Sequence, residues 1–453
     1  MRATRRDAVA VLLGVVLVSA AFLLPHLYLH NLALTPLTHA KPKRFAAFAG
    51  TAPIFGWWEV HGGWRTSAAV ALGVAAVWRG PQLAQRLPWR WLTLATWLTS
   101  ALWAFSLAMI DGWQRGFAGR LTTEHEYLRQ VPTITDIPEA LRTFASRIVD
   151  YQPHSWITHV SGHPPGALLT FVWLDRIGLG GGAWAGLLCL LAGAGAAPAV
   201  LVTLRAVSDE TTARLAAPFL TLAPTAIWIA VSADGYYAGV AAWGIALLAL
   251  AVRADRWKAV ALGILAGLVL GWAIFLNYGL GLMSFLAAAV LLCAHHWRAA
   301  VRALLPAVLA ALGVVAVFAL AGFWWFDGYF LVQRRYWQGI AHDRPFQYWV
   351  WANLASVVCA IGLGSVAGIG RVFDIGRIRS RSGLHLLVIA AIAAIVAADL
   401  SQLSKAETER IWLPFTVWLT AAPALLPVRA QRWWLAVNAV GALVLNSVIF
   451  TNW

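Results

Sequence analysis

The sequence predicts an all-α polytopic membrane protein, and three observations carry that prediction. Of 453 residues, 60% are hydrophobic and only 12% charged, with a mean hydropathy of +0.70, too little polar surface to solvate a compact chain. Apolar runs recur at the length needed to cross about 30 Å of hydrocarbon. No alternating barrel pattern accompanies them, so these spans must be helices, which satisfy their own amides in lipid. The 34 Lys+Arg against 19 Asp+Glu give a net charge of +15, but the basic residues punctuate apolar runs as cytoplasmic loops do, which excludes nucleic acid as a partner. Cys189, Cys293 and Cys359 lie inside apolar runs, so neither a disulfide framework nor a Cys-based metal site is available. No glycine-rich phosphate loop follows a strand pattern, which argues against nucleotide-driven chemistry.

Taken in order, the chain opens with Arg2, Arg5 and Arg6 followed by Ala8 to Leu32, basic and then apolar for longer than a signal-peptide core. It reads as an uncleaved signal anchor with a cytoplasmic amino terminus. Further apolar stretches fall at about 66–79, 91–110, 184–202, 214–233, 236–252, 258–276, 279–294, 303–323, 350–370, 384–399, 412–426 and 433–450, about 13 transmembrane helices in all. The basic loops Arg79 to Arg90, Arg205 to Arg214, Arg253 to Lys258, Arg298 to Arg302, Arg371 to Arg381 and Arg429 to Arg432 can share the cytoplasm only if Pro164 to Leu174 fails to cross. That short stretch is therefore expected to be a half-immersed helix, and the chain a multi-pass plasma-membrane protein. Lys41, Lys43 and Arg44 fall outside on this map, against the charge rule.

The distinctive polar residues then collect on the extracytoplasmic side. Asp111 stands where a span leaves the membrane, followed by Gly112; a helix-stop signal is the bland reading, a rigidly held carboxylate facing water the functional one. The external loop 111–163 is long for a connector and contains two amphipathic pieces, about 121–130 and 137–151, expected as interfacial helices. Within it Glu124-His125-Glu126-Tyr127 puts two carboxylates on opposite helix faces, and Glu126 is the one taken to face a site. His159-Val160-Ser161-Gly162-His163-Pro164-Pro165 ends the loop on two prolines that stiffen the backbone and present His163. His154 and His159 could join His163 as metal ligands, but their spacing matches no standard zinc pattern, so no metal is required although a divalent ion stays open.

Three later segments complete the set. Ser232-Ala233-Asp234-Gly235-Tyr236-Tyr237 places a carboxylate at an outer corner, a turn aspartate or a site acid. The aromatic loop from Trp324 contains Arg334, Arg335 and Tyr336 and ends His342-Asp343-Arg344; it suits either a lipid phosphate or simple head-group anchoring. Lys405-Ala406-Glu407-Thr408-Glu409-Arg410 would pair Lys405 with Glu409 and Glu407 with Arg410 on a helix, or let Glu409 orient Arg410 or Lys405 toward an anion.

In their order along the chain, Asp111, the Glu126-Tyr127 loop, His163-Pro164-Pro165, Asp234 and the segment from Lys405 through Glu409 and Arg410 to Trp412 resemble the GT-C superfamily of polyprenyl-phosphate-dependent glycosyltransferases, in particular actinobacterial envelope members that transfer arabinose or mannose. The resemblance covers roughly residues 91–412. It implies a single catalytic membrane domain that takes a sugar from a polyprenyl-phosphate donor on the outer face and passes it to an envelope glycan or lipid acceptor. Many relatives carry the essential acid after their first span, whereas residues 31–65 here contain no Asp and only Glu59. Residues 1–90 are accordingly an added transmembrane helix pair and 91–453 the GT-C-like core. Asp111 then matches the general base. Glu126, His163 and Asp234 complete the catalytic set, and Arg334, Arg335, Tyr336, Lys405, Glu409 and Arg410 surround the phosphate. A sugar phosphate already has a good leaving group, so a base and a set of cations suffice for one inverting displacement. The rival readings are a multi-span transporter or lipid flippase, for which no internal repeat is found, and a non-catalytic envelope assembly protein.

Overall fold

The computed structural model describes residues 5–31 and 49–451, with only the backbone for 26–31. Lys41, Lys43 and Arg44 lie outside the described residues. The described chain is helical apart from a small ribbon in which Gly56–Trp58 pairs antiparallel with Ile449–Thr451.

Seven helices are long and apolar enough to cross a membrane: Arg5–Pro25, Trp89–Asp111, Gly182–Val207, Ala233–Arg253, Arg256–Leu276, Trp297–Leu320 and Gly383–Leu400. An eighth would be the pair Phe346–Ile361 and Leu363–Ile369, which turns through 111° and so has the form of a broken or re-entrant span. The expected thirteen are not reached among the described residues. Tyr278–Leu292 and Leu413–Leu425 are apolar but short, and Leu413–Leu419 is buried at every position. An apolar run in sequence records exclusion from water, and a protein core satisfies it as well as lipid does.

The break between Phe346–Ile361 and Leu363–Ile369 has a local cause. Gly362 takes φ +78°, a region that disfavours any side chain, and a Cβ there would meet Asn438 Oδ1 at 2.6 Å. That same Asn438 oxygen accepts a hydrogen bond from the Gly364 amide at 2.8 Å, receiving the new helix start. Elsewhere small residues let backbones touch, as membrane helices require. On Arg256–Leu276, a Cβ on Gly267 would sit 2.0 Å from the Ala307 carbonyl oxygen of Trp297–Leu320.

The proline-led stretch is a helix, Pro165–Arg176, of 12 residues; at 1.5 Å per residue it rises about 18 Å, too short to cross hydrocarbon unaided. The loop before it departs from expectation. In place of two interfacial helices it forms single turns at Arg120–Thr122, Tyr127–Arg129 and Val131–Thr133 and a six-residue helix Ile137–Arg142. Pro132 and Pro138 each remove an amide donor, and buried Tyr127, Val131, Leu141, Phe144 and Trp156 tie the loop into the core.

Candidate functional site

Ala233–Arg253 is the hub helix, with Asp234 through Gly239 all buried. Its first turn meets the segment 404–411, which is drawn into an irregular path. Asn353 donates to Asp399 Oδ1 at 2.8 Å and to the Ser404 carbonyl at 2.9 Å, and accepts from the Ala406 amide at 3.1 Å. Ala406 and Glu407 then take left-handed φ of 66° and 61° before a single helical turn begins at Thr408. The turn points its side chains in two directions.

One direction forms a charged cluster. Arg410 donates from Nη1 to Asp234 Oδ2 at 2.6 Å and from Nη2 to Glu407 Oε2 at 2.7 Å, joining residues 176 apart in the chain. Arg344 donates to Glu407 Oε1 at 2.8 Å and to the Lys405 carbonyl, while Lys405 Nζ donates to the Arg344 carbonyl at 2.7 Å and lies 4.4 Å over the Trp337 ring. Tyr336 accepts the Lys405 amide at 2.9 Å. Burial opposes ionisation of Glu407, but Arg344 and Arg410 overcome it and hold the carboxyl down at about 2. Burial likewise opposes the Arg410 charge, and Asp234 and Glu407 more than compensate, raising it above its ordinary value.

Two histidines close the cluster from the loop 111–163. His159 Nε2 lies 3.4 Å from Arg410 Nη2 and its Nδ1 lies 3.3 Å from Glu126 Oε1. A guanidinium can only donate, so Nε2 is the acceptor and the proton of the neutral ring sits on Nδ1, toward Glu126. His163 Nδ1 donates to the His159 carbonyl at 2.8 Å, which leaves Nε2 with the lone pair. Burial depresses both rings to about 4, with Arg410 adding to the effect on His159. Tyr237 OH donates to Tyr127 OH at 2.8 Å behind them. Glu126 is 3% exposed and the Glu124 side chain 82%, so Glu126 is the carboxylate that faces inward.

The structure thus brings together Glu126, His163, Asp234, Tyr336, Lys405 and Arg410. Arg335 borders them, paired with Asp150 and donating to Ser161 Oγ at 3.1 Å. Three expected residues lie elsewhere. Arg334 is exposed and has no ion pair among the described residues. Glu409 points the other way, accepting from the Phe55 amide and Ser356 Oγ, each at 3.0 Å; burial pushes its carboxyl up to about 7. Glu407, not Glu409, orients Arg410, because the left-handed residues before Thr408 break the helical register that would have joined Lys405 to Glu409. Asp111 occupies a second centre, 3.6 Å from His61 Nε2 and 3.8 Å from Arg120 Nη2. Arg120 also donates to the Thr451 carbonyl at 2.6 Å and lies over Phe450 beside Arg115. Ile227 and Val231 line this second cavity. Val231 precedes Asp234 by three residues, so this residue of the cavity wall and Asp234 are at most about 11 Å apart along the backbone.

Arg344, Glu407 and His61 are cluster residues that sequence left unassigned. Arg344 looks like the end of an exposed charged triplet, and His61 sits in a loop without any helical phase. Only the i,i+3 spacing of Glu407 and Arg410 was a usable signal.

No family model and no curated protein matches the chain. Its fold is similar to that of the oligosaccharyltransferase of Archaeoglobus fulgidus. The complex of that enzyme with zinc and sulfate gives a TM-score of 0.52 at 15% identity over 79% of this chain and 53% of the other. The apo form gives 0.50 at 12% identity over 79% and 56%. The chain spans about half the length of those proteins. The likeness is one of fold: a multi-helix chain arranged like part of that archaeal protein. Among the described residues no three His, Cys, Asp or Glu side chains gather as metal ligands, and Arg410 lies between the carboxylates of Asp234 and Glu407.

Proposed function

We propose that this protein is a membrane glycosyltransferase that moves a sugar from a polyprenyl-phosphate donor to an envelope glycan or lipid acceptor on the extracytoplasmic face, by inverting displacement. The observation that carries the reading is convergence. The loop 111–163, the corner at Asp234, the helix bearing Tyr336 and the segment 404–411 meet in one buried polar cluster beside apolar spans, on a fold similar to an oligosaccharyltransferase. Charged groups at such depth are costly and mark sites. Lys405 and Arg344 are placed to receive donor phosphate; among the described residues Lys405 is the cluster cation that no carboxylate neutralises. His163 Nε2 and Asp234 Oδ1, a buried acceptor without a hydrogen-bond partner, suit sugar or acceptor hydroxyls. Asp111 serves as base from the adjoining centre, and residues 1–90 are an addition to the core.

The test is transfer by the purified protein in liposomes from a labelled polyprenyl-phosphate sugar. Absence of any glycosylated product with arabinosyl and mannosyl donors, combined with solute uptake into the vesicles, would replace this reading with the transporter. Sidedness tags near Ala118 and Arg377 should report opposite faces; both on one face would refute the orientation.

A further inference from the structure

The side chains of Asp111 and His61 are 8% and 10% exposed, so a proton taken up by that carboxylate has little direct access to water and must pass to a neighbouring group. Two groups stand near it. Arg120 Nη2 is 3.8 Å away, but a guanidinium can only donate. His61 Nε2, at 3.6 Å, is the base within reach. His61 Nδ1 lies 2.7 Å from the Glu59 carbonyl oxygen, which can only accept, so the proton of the neutral ring sits on Nδ1 and the Nε2 lone pair faces Asp111. At that separation no hydrogen bond joins the two residues; the pair has a place for one proton between them. Once it arrives, both ring nitrogens face oxygen acceptors, an arrangement that an imidazolium satisfies with its two donors.

The ribbon holds the ring in that place. The pairing of Gly56–Trp58 with Ile449–Thr451 continues from the Glu59 amide to the Val448 carbonyl at 3.2 Å and from the His61 amide to the Ser447 carbonyl at 2.9 Å. The Phe450 ring meets the imidazole edge-on at 5.9 Å. The same strand fixes Arg120 through Thr451 and Phe450, and Asn446 Nδ2 donates to the Leu107 carbonyl at 3.2 Å, tying down the helix end that presents Asp111. Residues 56–61 fall in the stretch that the sequence places before the GT-C-like core, and they complete this centre.

We propose that His61 is a positioning residue for sugar transfer, the relay that takes from Asp111 the proton of the acceptor hydroxyl, a role that rests on the glycosyltransferase reading. As the acceptor O–H bond breaks, its oxygen forms the new bond to the anomeric carbon, and the polyprenyl phosphate leaves with the electron pair of the broken sugar–oxygen bond. The proton passes through Asp111 to His61 Nε2, which restores the carboxylate and makes the ring an imidazolium. His61 must therefore be neutral before each turnover. The charged groups around this centre are Asp111 and Arg120, Glu59 with its partner Arg115, and Arg65 beside Gly112.

The experiment follows transfer by the full-length protein in liposomes from a labelled polyprenyl-phosphate sugar across pH. Wild-type kcat should fall on the acid side as His61 takes up its proton. His61→Gln should lower kcat by about 10²-fold with KM unchanged, and should lose that limb, keeping only the loss near pH 4 where His159 and His163 take up protons. Added imidazole should restore transfer to His61→Ala, because a free base can replace a relay and cannot replace a brace. Unchanged kcat in His61→Gln, or a loss in His61→Ala that imidazole does not recover, overturns the relay and leaves the glycosyltransferase reading standing; no transfer by the wild type ends that reading and the relay with it. Should neither variant fold, the wild type labelled with ¹⁵N-histidine in lipid nanodiscs decides by the tautomer of its neutral His61 ring. A proton on Nδ1 supports the relay, and a proton on Nε2, aimed at Asp111, overturns it.

Discussion

The two polar centres use the same chemistry at different tightness. Around Arg410 the carboxylates of Asp234 and Glu407 sit at 2.6 to 2.8 Å from a guanidinium, whereas the partners of Asp111 stand at 3.6 and 3.8 Å. Short charge-assisted bonds in a buried cluster fix geometry and consume lone pairs. The Asp111 carboxylate, 8% exposed, is held only by these longer contacts. What the contrast teaches is a difference in restraint: Asp234 and Glu407 are fixed by short charge-assisted bonds, whereas Asp111 is loosely held.

The largest test of that contrast removes one half of the clamp. Asp234→Ala leaves Arg410 buried with a missing partner, which should cost about 3–5 kcal/mol of stability and abolish transfer, both readable by thermal unfolding and the liposome assay. Asp111→Asn should act differently, lowering transfer about 10²- to 10⁴-fold while the unfolding midpoint barely moves. Equal losses of stability in the two variants would erase the distinction, and normal transfer by Asp111→Asn would dismiss it as the base.

Acid should attack the clamped centre through its histidines. His159 and His163 are depressed in the folded state to about 4, so the stability they contribute is complete above their ordinary value near 6.5 and is lost as pH falls toward 4. Glu409 has the opposite sign. Its carboxyl is raised to about 7, so its contribution is complete below its ordinary value and is lost as pH rises through 7. Unfolding followed across pH should therefore show His159→Gln flattening the acid limb and Glu409→Gln protecting the alkaline one; a pH-independent midpoint in the wild type would refute both assignments. The smallest effect belongs to the rim of the Asp111 centre. Glu59 and Arg115 pair at 2.6 Å but are 43% and 46% exposed, and Glu59→Gln should cost no more than about 1 kcal/mol.

Legibility in the sequence followed the range of the interactions. His163 was visible because two prolines fix their own backbone, and Asp234 was a candidate because an acid beside apolar residues is costly, although a turn aspartate explained it equally well. Of the two carboxylates Glu126 is the buried one and Glu124 the exposed one, although the helix expected to separate them does not form; alternation of facing survives in a turn. Arg344 was invisible because its role depends on Glu407, 63 residues away. Glu409 was misdirected because two left-handed residues, Ala406 and Glu407, reset the phase of a helix that periodicity would have continued.

From sequence alone came the solvent this chain requires, its helical class, the stiff His-Pro-Pro entry and the inventory of acids and bases, since composition, backbone locks and apolar length are all local. The tertiary structure decided which apolar runs form long helices and which are short and buried in protein, that Arg410 is shared by Asp234 and Glu407, and that Asp111 stands in a separate, looser centre. Those outcomes depend on pairing between distant segments, and a Coulomb interaction in a buried cluster is set by where the partner lies in space, not by its distance along the chain.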